Sequence, residues 1–275
     1  MRLTSLEREI PEWKSWTAML RVLTQAVGEP VWQDPVVDPT NAGEARPRLH
    51  AQCIRVPEQA LSGLVQALLD IAQATSLPSA NNLHADRMLR LVHASITGGT
   101  HEINVTAQTL GMRAPALAAV LHAATIPLLN ACASQLAQGT PGHWPHAYCP
   151  VCGERPVLAE LLGLDRTRRL RCGSCGTGSD MPWLVCGFCQ ETDHAQLGML
   201  VAGSGSQGRQ VETCATCRGY LKTISVLTAD SHIDVLLADL ETVALDVAAQ
   251  DEGFVRPEGP GHQLTVRLFA EVVAP

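Results

Sequence analysis

Through the first half of the chain, apolar residues recur at spacings of three and four, the period that gathers side chains on one helical face. In Leu6–Val27 the residues Trp13, Trp16, Leu20 and Leu23 share such a face, with Pro11 in the first turn and Gly28-Glu29-Pro30 as the stop. Residues 30–56 are proline-rich without a clear period and read as a long irregular segment. Pro57 then opens a helix striped by Leu61, Leu64, Leu68 and Ile71. Two more helices, Leu83–Ile96 and Ala114–Gln138, are separated by Gly98-Gly99. After Tyr148 the pattern shortens, and Pro156–Leu162, Arg168–Arg171, Pro182–Val185 and Leu197–Val201 read as strands between cysteine turns. Ile233, Leu236, Leu240, Val243 and Val247 return to helical spacing, with Asp230 or Ser231 as cap and Gly253 as stop. The apolar tail beyond Gly261 reads either as a last strand or as a poorly ordered end.

The pattern predicts an α+β protein in three parts. A helical domain over 1–141 is followed by tandem rubredoxin-like or zinc-ribbon-like metal modules over 142–222. A C-terminal helix and tail over 223–275 pack on the rest.

Composition sharpens this picture. Of 275 residues, 46% are hydrophobic but only 4% aromatic, so the core must be built from Ala, Leu and Val, and a disordered chain is excluded. A formal net charge of −7 argues against nucleic acid or an anionic membrane surface as partner. Ala114–Ala137 is long enough to be taken for a membrane span. Pro127 and a polar stripe of His122, Asn130, Ser134 and Gln138 instead predict a core helix without membrane insertion. The charged start (Arg2, Glu7, Arg8, Glu9, Glu12) does not resemble a secretion signal, so a cytoplasmic protein is expected.

The chemistry lies in the cysteines. Eight of ten form C-x-x-C pairs: Cys149/Cys152, Cys172/Cys175, Cys186/Cys189 and Cys214/Cys217. Four thiolates in a tetrahedron satisfy zinc or rubredoxin-type iron, and two such turns complete one shell. Sequential pairing gives C-x2-C-x19-C-x2-C and then C-x2-C-x24-C-x2-C. The other arrangement joins Cys172/Cys175 to Cys186/Cys189 across ten residues and strands the outer pairs. Sequential pairing is expected, with two metal ions, iron or zinc. Glycine follows the second cysteine in the first two turns (Gly153, Gly176), where it would let N–H groups turn toward sulfur; Gln190 and Arg218 stand there in the other two. Eight thiolates and two divalent ions would take the net charge to about −11.

Other features have plainer readings. Gly203–Gly208 matches G-x-G-x-x-G, but no helix fits before Cys214, so it is a loop tip. Arg166, Arg168, Arg169 and Arg171 read as a solvated strand face, with an acidic partner as the other reading. His143 and His146 precede a shell already filled by sulfur, and Cys53 and Cys132 read as apolar thiols. No nucleophile–base set or H-E-x-x-H motif appears, so no catalytic residue is assigned.

Three runs carry a likeness: Cys149-Pro150-Val151-Cys152-Gly153 with the three C-x-x-C turns after it, Arg218-Gly219-Tyr220-Leu221-Lys222, and the acidic helix Asp239–Asp246 ending in Glu252-Gly253-Phe254-Val255-Arg256-Pro257. Together they resemble the formate dehydrogenase accessory protein FdhE family over Tyr148–Pro257. The resemblance implies a maturation factor rather than an enzyme. It would bind the catalytic subunit of a molybdenum or tungsten formate dehydrogenase in the cytoplasm, with rubredoxin-like sites contributing to redox control. A zinc-ribbon nucleic-acid adaptor and a rubredoxin-like electron carrier are the alternatives, and the acidic charge counts against the first.

Overall fold

The computed structural model describes residues 2–37, 39, 45–73, 85–137, 144–201 and 208–270. The chain forms two compact units, Met1–Gln138 with Gln263–Pro275, and Gly139–His262.

The first unit is helical. It contains α1 (Arg2–Glu9), α2 (Lys14–Ala26), two short strands β1 (Val36–Val37) and β2 (Cys53–Val56), then α3 (Glu58–Gln73), α4 (Ala85–Thr97), α5 (His101–Thr109) and α6 (Ala114–Leu136). The single helix expected over Leu6–Val27 is broken. Pro11 has no N–H to donate, and a 3-10 turn at Pro11–Trp13 changes the helical phase. Within α2, Trp16 is exposed, while Thr17, Leu23 and Ala26 face inward. Glu7 ties α1 to α2 by accepting from Arg21 and from the Thr17 hydroxyl, which hold its carboxyl down at about 2. The carbonyl of Pro57 accepts the first helical bond of α3, from Leu61.

Helix α6 packs against α2, α3, α4 and α5 with Leu117, Leu121, Ala124 and Leu128 fully buried. Among the described residues it is the one helix long and apolar enough to cross a membrane, and more than half of its most apolar window is buried inside the protein. His122 and Ser134 lie on its exposed side; Gln138 falls outside the described residues. The segment expected to be irregular contains β1 and β2, paired antiparallel with Val36 opposite Ile54. Gln135 of α6 holds β1 by a pair of bonds to the Val36 backbone, at 2.8 and 3.0 Å.

The second unit is a six-stranded sheet covered by two helices: β3 (Pro156–Leu162), β4 (Thr167–Cys172), β5 (Gly178–Asp180), β6 (Leu197–Val201), β7 (Arg209–Cys214), β8 (Tyr220–Val226), α7 (His232–Glu241) and α8 (Val243–Asp251). Sheet order is β5-β4-β3-β8-β7-β6. The two halves repeat one plan: a C-x-x-C turn, a strand, a returning strand, a second C-x-x-C turn, a third strand. Pairing is antiparallel within each half, and the halves fuse through β3 and β8, which run parallel from Leu158 opposite Lys222 to Leu162 opposite Val226. A final strand, β9 (Arg267–Ala270), belongs to the first unit and pairs parallel with β2.

Several expectations are corrected. Pro182–Val185 is a turn, with Leu184 at φ 59, because the third strand of the first half has already formed at β5. The polar strands β7 and β8 went unexpected. The C-terminal helix breaks at Thr242, whose hydroxyl bonds back to the Ala238 carbonyl at 2.7 Å. That break shifts the phase, so the buried face is Val235, Ala238, Leu245 and Ala249, and Val247 is exposed.

Of the arginine run Arg166 is exposed and Arg169 half-buried, but Arg168 and Arg171 are buried rather than solvated. Arg171 is buried against the fully buried Glu160 at 2.6 Å and donates to the Asp230 carbonyl at 2.9 Å; Glu160 also accepts the Asp230 N–H. Arg168, equally buried, pairs with Glu212 at 2.5 Å, and Arg169 with Asp180 at 2.7 Å. Lys222 is fully buried between Asp239 and Asp246, each at 2.7 Å; Arg256 reaches the same two carboxylates, and the Tyr220 hydroxyl donates to Asp246. Removing one member of such a pair strands a buried charge, at a cost of about 3–5 kcal/mol. Arg171→Met should therefore lower unfolding free energy by roughly that amount in denaturant titration, and adding Glu160→Met should restore part of it. Equal stability of Arg171→Met and the wild type would show that the pair carries no such load.

Candidate metal centre

Each C-x-x-C turn is built the same way. The N–H of its first cysteine donates to the carbonyl five residues on (Cys149 to Glu154, Cys172 to Thr177, Cys186 to Glu191, Cys214 to Gly219) at 2.8–3.0 Å. The residue after the second cysteine has positive φ in all four: Gly153 at 76°, Gly176 at 81°, Gln190 at 63° and Arg218 at 56°. The positive φ expected at Gly153 and Gly176 is present, and Gln190 and Arg218 share it. The N–H of Gly153 and that of Gly176 close their turns on the carbonyls of Cys149 and Cys172. Among the N–H groups near sulfur are those of Val151 to Cys149 and Phe188 to Cys186, both at 3.4 Å. Left-handed backbone is strained for a residue with a Cβ. Arg218 is anchored in it by stacking over Phe254 at 4.5 Å and by donating to the Glu252 and Gly253 carbonyls.

The turns bring sulfur together in two sets of four. Cys149, Cys152, Cys172 and Cys175 form one, and Cys186, Cys189, Cys214 and Cys217 the other, with all ligand atoms of a set within 4.8 Å of one another. Cys149 lies 3.5 Å from Cys175 and Cys152 lies 3.4 Å from Cys172; in the second set Cys186–Cys217 and Cys189–Cys214 are both 3.7 Å. Tetrahedral bonds of ~2.3 Å to sulfur give an edge of about 3.8 Å, so each set can hold one metal ion. The grouping is sequential, and Cys175 and Cys186 fall in different sets.

The two sets differ in exposure. All four sulfur residues of the first are buried, whereas Cys189 is exposed and Cys217 half-buried. Burial, with the Cys172 sulfur nearby, pushes the Glu154 carboxyl up to about 7. Burial also pulls the His232 imidazole below its ordinary value, where its Nε2 meets the Gly173 carbonyl at 2.7 Å. Glu191 links the two turns of the second set, accepting from the N–H groups of Thr192 and Asp193 and from the Thr216 hydroxyl.

Among the remaining candidates, His146 lies flat on Tyr148 at 4.9 Å and belongs to neither sulfur set, and His143 falls outside the described residues. Of the G-x-G-x-x-G match only Gly208 is described; its carbonyl accepts from Ser225. Cys132 is buried in α6, which pushes its thiol up to about 12, and Cys53 is half-buried in β2. Glu191 and the Lys222–Asp239–Asp246–Arg256 network escaped the residue-by-residue reading. The members of the network lie in the family-like runs after the last cysteine pair, whereas Glu191 carried no sequence signal.

Fold and site together define an α+β protein whose second unit is a tandem ribbon with two tetracysteine sets. A family model described as "FdhE, C-terminal domain" matches residues 184–260. A protein of Pseudomonas aeruginosa named "Protein FdhE homolog" is 31% identical over 156 residues, covering 50% of this chain and 49% of that protein. A second of that name, from Aquifex aeolicus, is 31% identical over 122 residues, covering 42% and 41%. The matched segments thus span about half, or less, of the curated relatives' length. The crystal structure of the FdhE protein from Pseudomonas aeruginosa shares the fold, with a TM-score of 0.58 at 22% identity over 94% of this chain and 92% of that one. The chain is thus similar to FdhE proteins over part of its length and shares the fold of the FdhE crystal structure.

Two outcomes follow from the geometry. On challenge with a thiol-alkylating reagent and chelator, Cys189 and Cys217 should be modified before any cysteine of the first set, with Cys132 protected until unfolding; mass spectrometry of timed samples reads the order. Chelation in mild denaturant should melt the second unit, whose short strands depend on their turns, and leave the helical signal of α2–α6 in place. A single transition removing both would contradict this.

Proposed function

We propose that this chain is a formate dehydrogenase accessory protein that binds the catalytic subunit of its client in the cytoplasm during maturation and turns over no formate itself. The observation that carries the proposal is the pairing of two tetracysteine sets with the FdhE C-terminal domain in one sheet. Cys149, Cys152, Cys172 and Cys175 would hold one metal ion, and Cys186, Cys189, Cys214 and Cys217 the second, as iron or zinc. A shell of four protein sulfurs is coordinatively closed and offers no position for substrate or water, which fits a binding role rather than catalysis. The arginines that a nucleic-acid adaptor would need are paired with carboxylates. The exposure of Cys189 favours one second reading, a rubredoxin-like electron carrier, since an electron must reach its metal from outside.

Purified with its metal, the protein should capture the formate dehydrogenase catalytic subunit and show no formate oxidation alone. Deleting its gene should lower cellular formate oxidation while the dehydrogenase polypeptide remains. Intact activity after deletion would sink the accessory role. Visible absorption of the purified protein separates ferric thiolate from colourless zinc.

A further inference from the structure

Among the described residues the repeated plan of the ribbon leaves one position unfilled. In the first half, the strand after the leading C-x-x-C turn is β3, and its outer edge is covered by β8 running parallel to it. The corresponding strand of the second half is β6, which stands at the edge of the sheet. Its sequence, Leu-Gly-Met-Leu-Val, has no charge and no proline, the devices that usually protect an edge. The opposite edge, β5, is three residues long, with Asp180 held by Arg169.

The backbone of β6 is set for pairing. Ala215 donates to the Gln196 carbonyl, and the register continues through Gly198 opposite Thr213 and Leu200 opposite Val211. Alternation along an antiparallel ladder therefore turns the N–H and C=O of Met199 and the N–H of Val201 away from β7. The side chains of Met199 and Val201 are 51% and 67% exposed. Beside them opens a groove of about 180 Å³ lined by Trp183, Leu184, Phe188, Met199 and Leu221. Leu184 is exposed there in a left-handed backbone that leucine rarely adopts.

We infer that β6 is a docking edge that takes an extended, uncharged apolar segment of the client polypeptide as a seventh strand, parallel to β6 as β8 is to β3, with side chains of that segment entering the groove. Main-chain bonds to Met199 and Val201 supply the register and the groove supplies selectivity. A second copy is a poor occupant for this geometry: the strand it would offer in the place of β8 is β5, which covers three residues against the five of β6 and carries Asp180. The inference rests on the client reading above and names the surface that reading leaves open.

The test uses the full chain with its metal and the purified formate dehydrogenase catalytic subunit as probe. Met199→Pro removes an outward N–H while leaving the Gly198 and Leu200 bonds to β7, and it should weaken binding about tenfold or more, with metal content and circular dichroism unchanged. Met199→Lys, which keeps the N–H but puts a charge at the groove, should also weaken it, and carries the test if the proline variant does not fold. Amide exchange at Met199 and Val201 should slow on binding in the wild type. If the wild type binds and both variants bind equally well, the edge is not the docking site although the accessory reading stands. If the wild type does not bind the subunit, both fall. Self-association of the wild type that Met199→Pro abolishes would assign the edge to a second copy and overturn the inference.

Discussion

A lysine taken wholly out of water keeps its charge only where carboxylates replace the lost hydration, and the second unit is arranged around meeting that demand at Lys222. Lys222 sits in the parallel seam, opposite Leu158, where the two ribbons fuse. Its partners Asp239 and Asp246 lie on different helices, so α7 and α8 must both lie over the sheet, separated by the break at Thr242. Arg256 then neutralises the second half of the carboxylate charge, and the chain that carries it passes Phe254 and Gly253, which hold Arg218 beside the last cysteine turn. One buried amine thus connects the seam, the helical cover and the second sulfur set.

The parts of this structure legible in the sequence were those set by short-range rules. C-x-x-C spacing placed all eight sulfurs, because a two-residue gap leaves the turn few other forms. Strands β3 and β6 were readable to their ends, as apolar runs bounded by turns. Ser231 was readable as a cap, and its hydroxyl accepts from the Asp234 N–H. What stayed hidden depends on partners far along the chain. Arg168 and Arg171 looked solvated because Glu212 and Glu160 lie 44 and 11 residues away. Strand β8 was not read as a strand, because Lys222 and Thr223 interrupt its apolar pattern and are buried by groups far along the chain. The stripe at Ile233 through Val247 assumed one unbroken helix, whereas the chain turns at Thr242 between α7 and α8.

The two ribbons repeat one plan with different tolerances. In the first, glycines meet the positive-φ positions without strain and the sulfurs are sealed. In the second, Gln190 and Arg218 occupy those positions and two sulfurs reach toward solvent. Side chains at such sites gain contacts a glycine could not make: Gln190 donates to the Pro145 carbonyl, and Arg218 grips the end of α8. Local backbone ease is exchanged there for longer-range anchoring.

The return of the chain to its starting unit gives the ribbon an unusual topological status. Because β9 pairs with β2, the segment 139–262 is tethered at both ends and is, in effect, an insertion within the helical unit. If it unravels while that pairing holds, it becomes a closed loop rather than a free tail. Closing a loop of this length removes about 4 kcal/mol of conformational freedom from the unravelled state. Four bridging residues in a strand outside the ribbon therefore act as a clasp, favouring its refolding without touching either sulfur set.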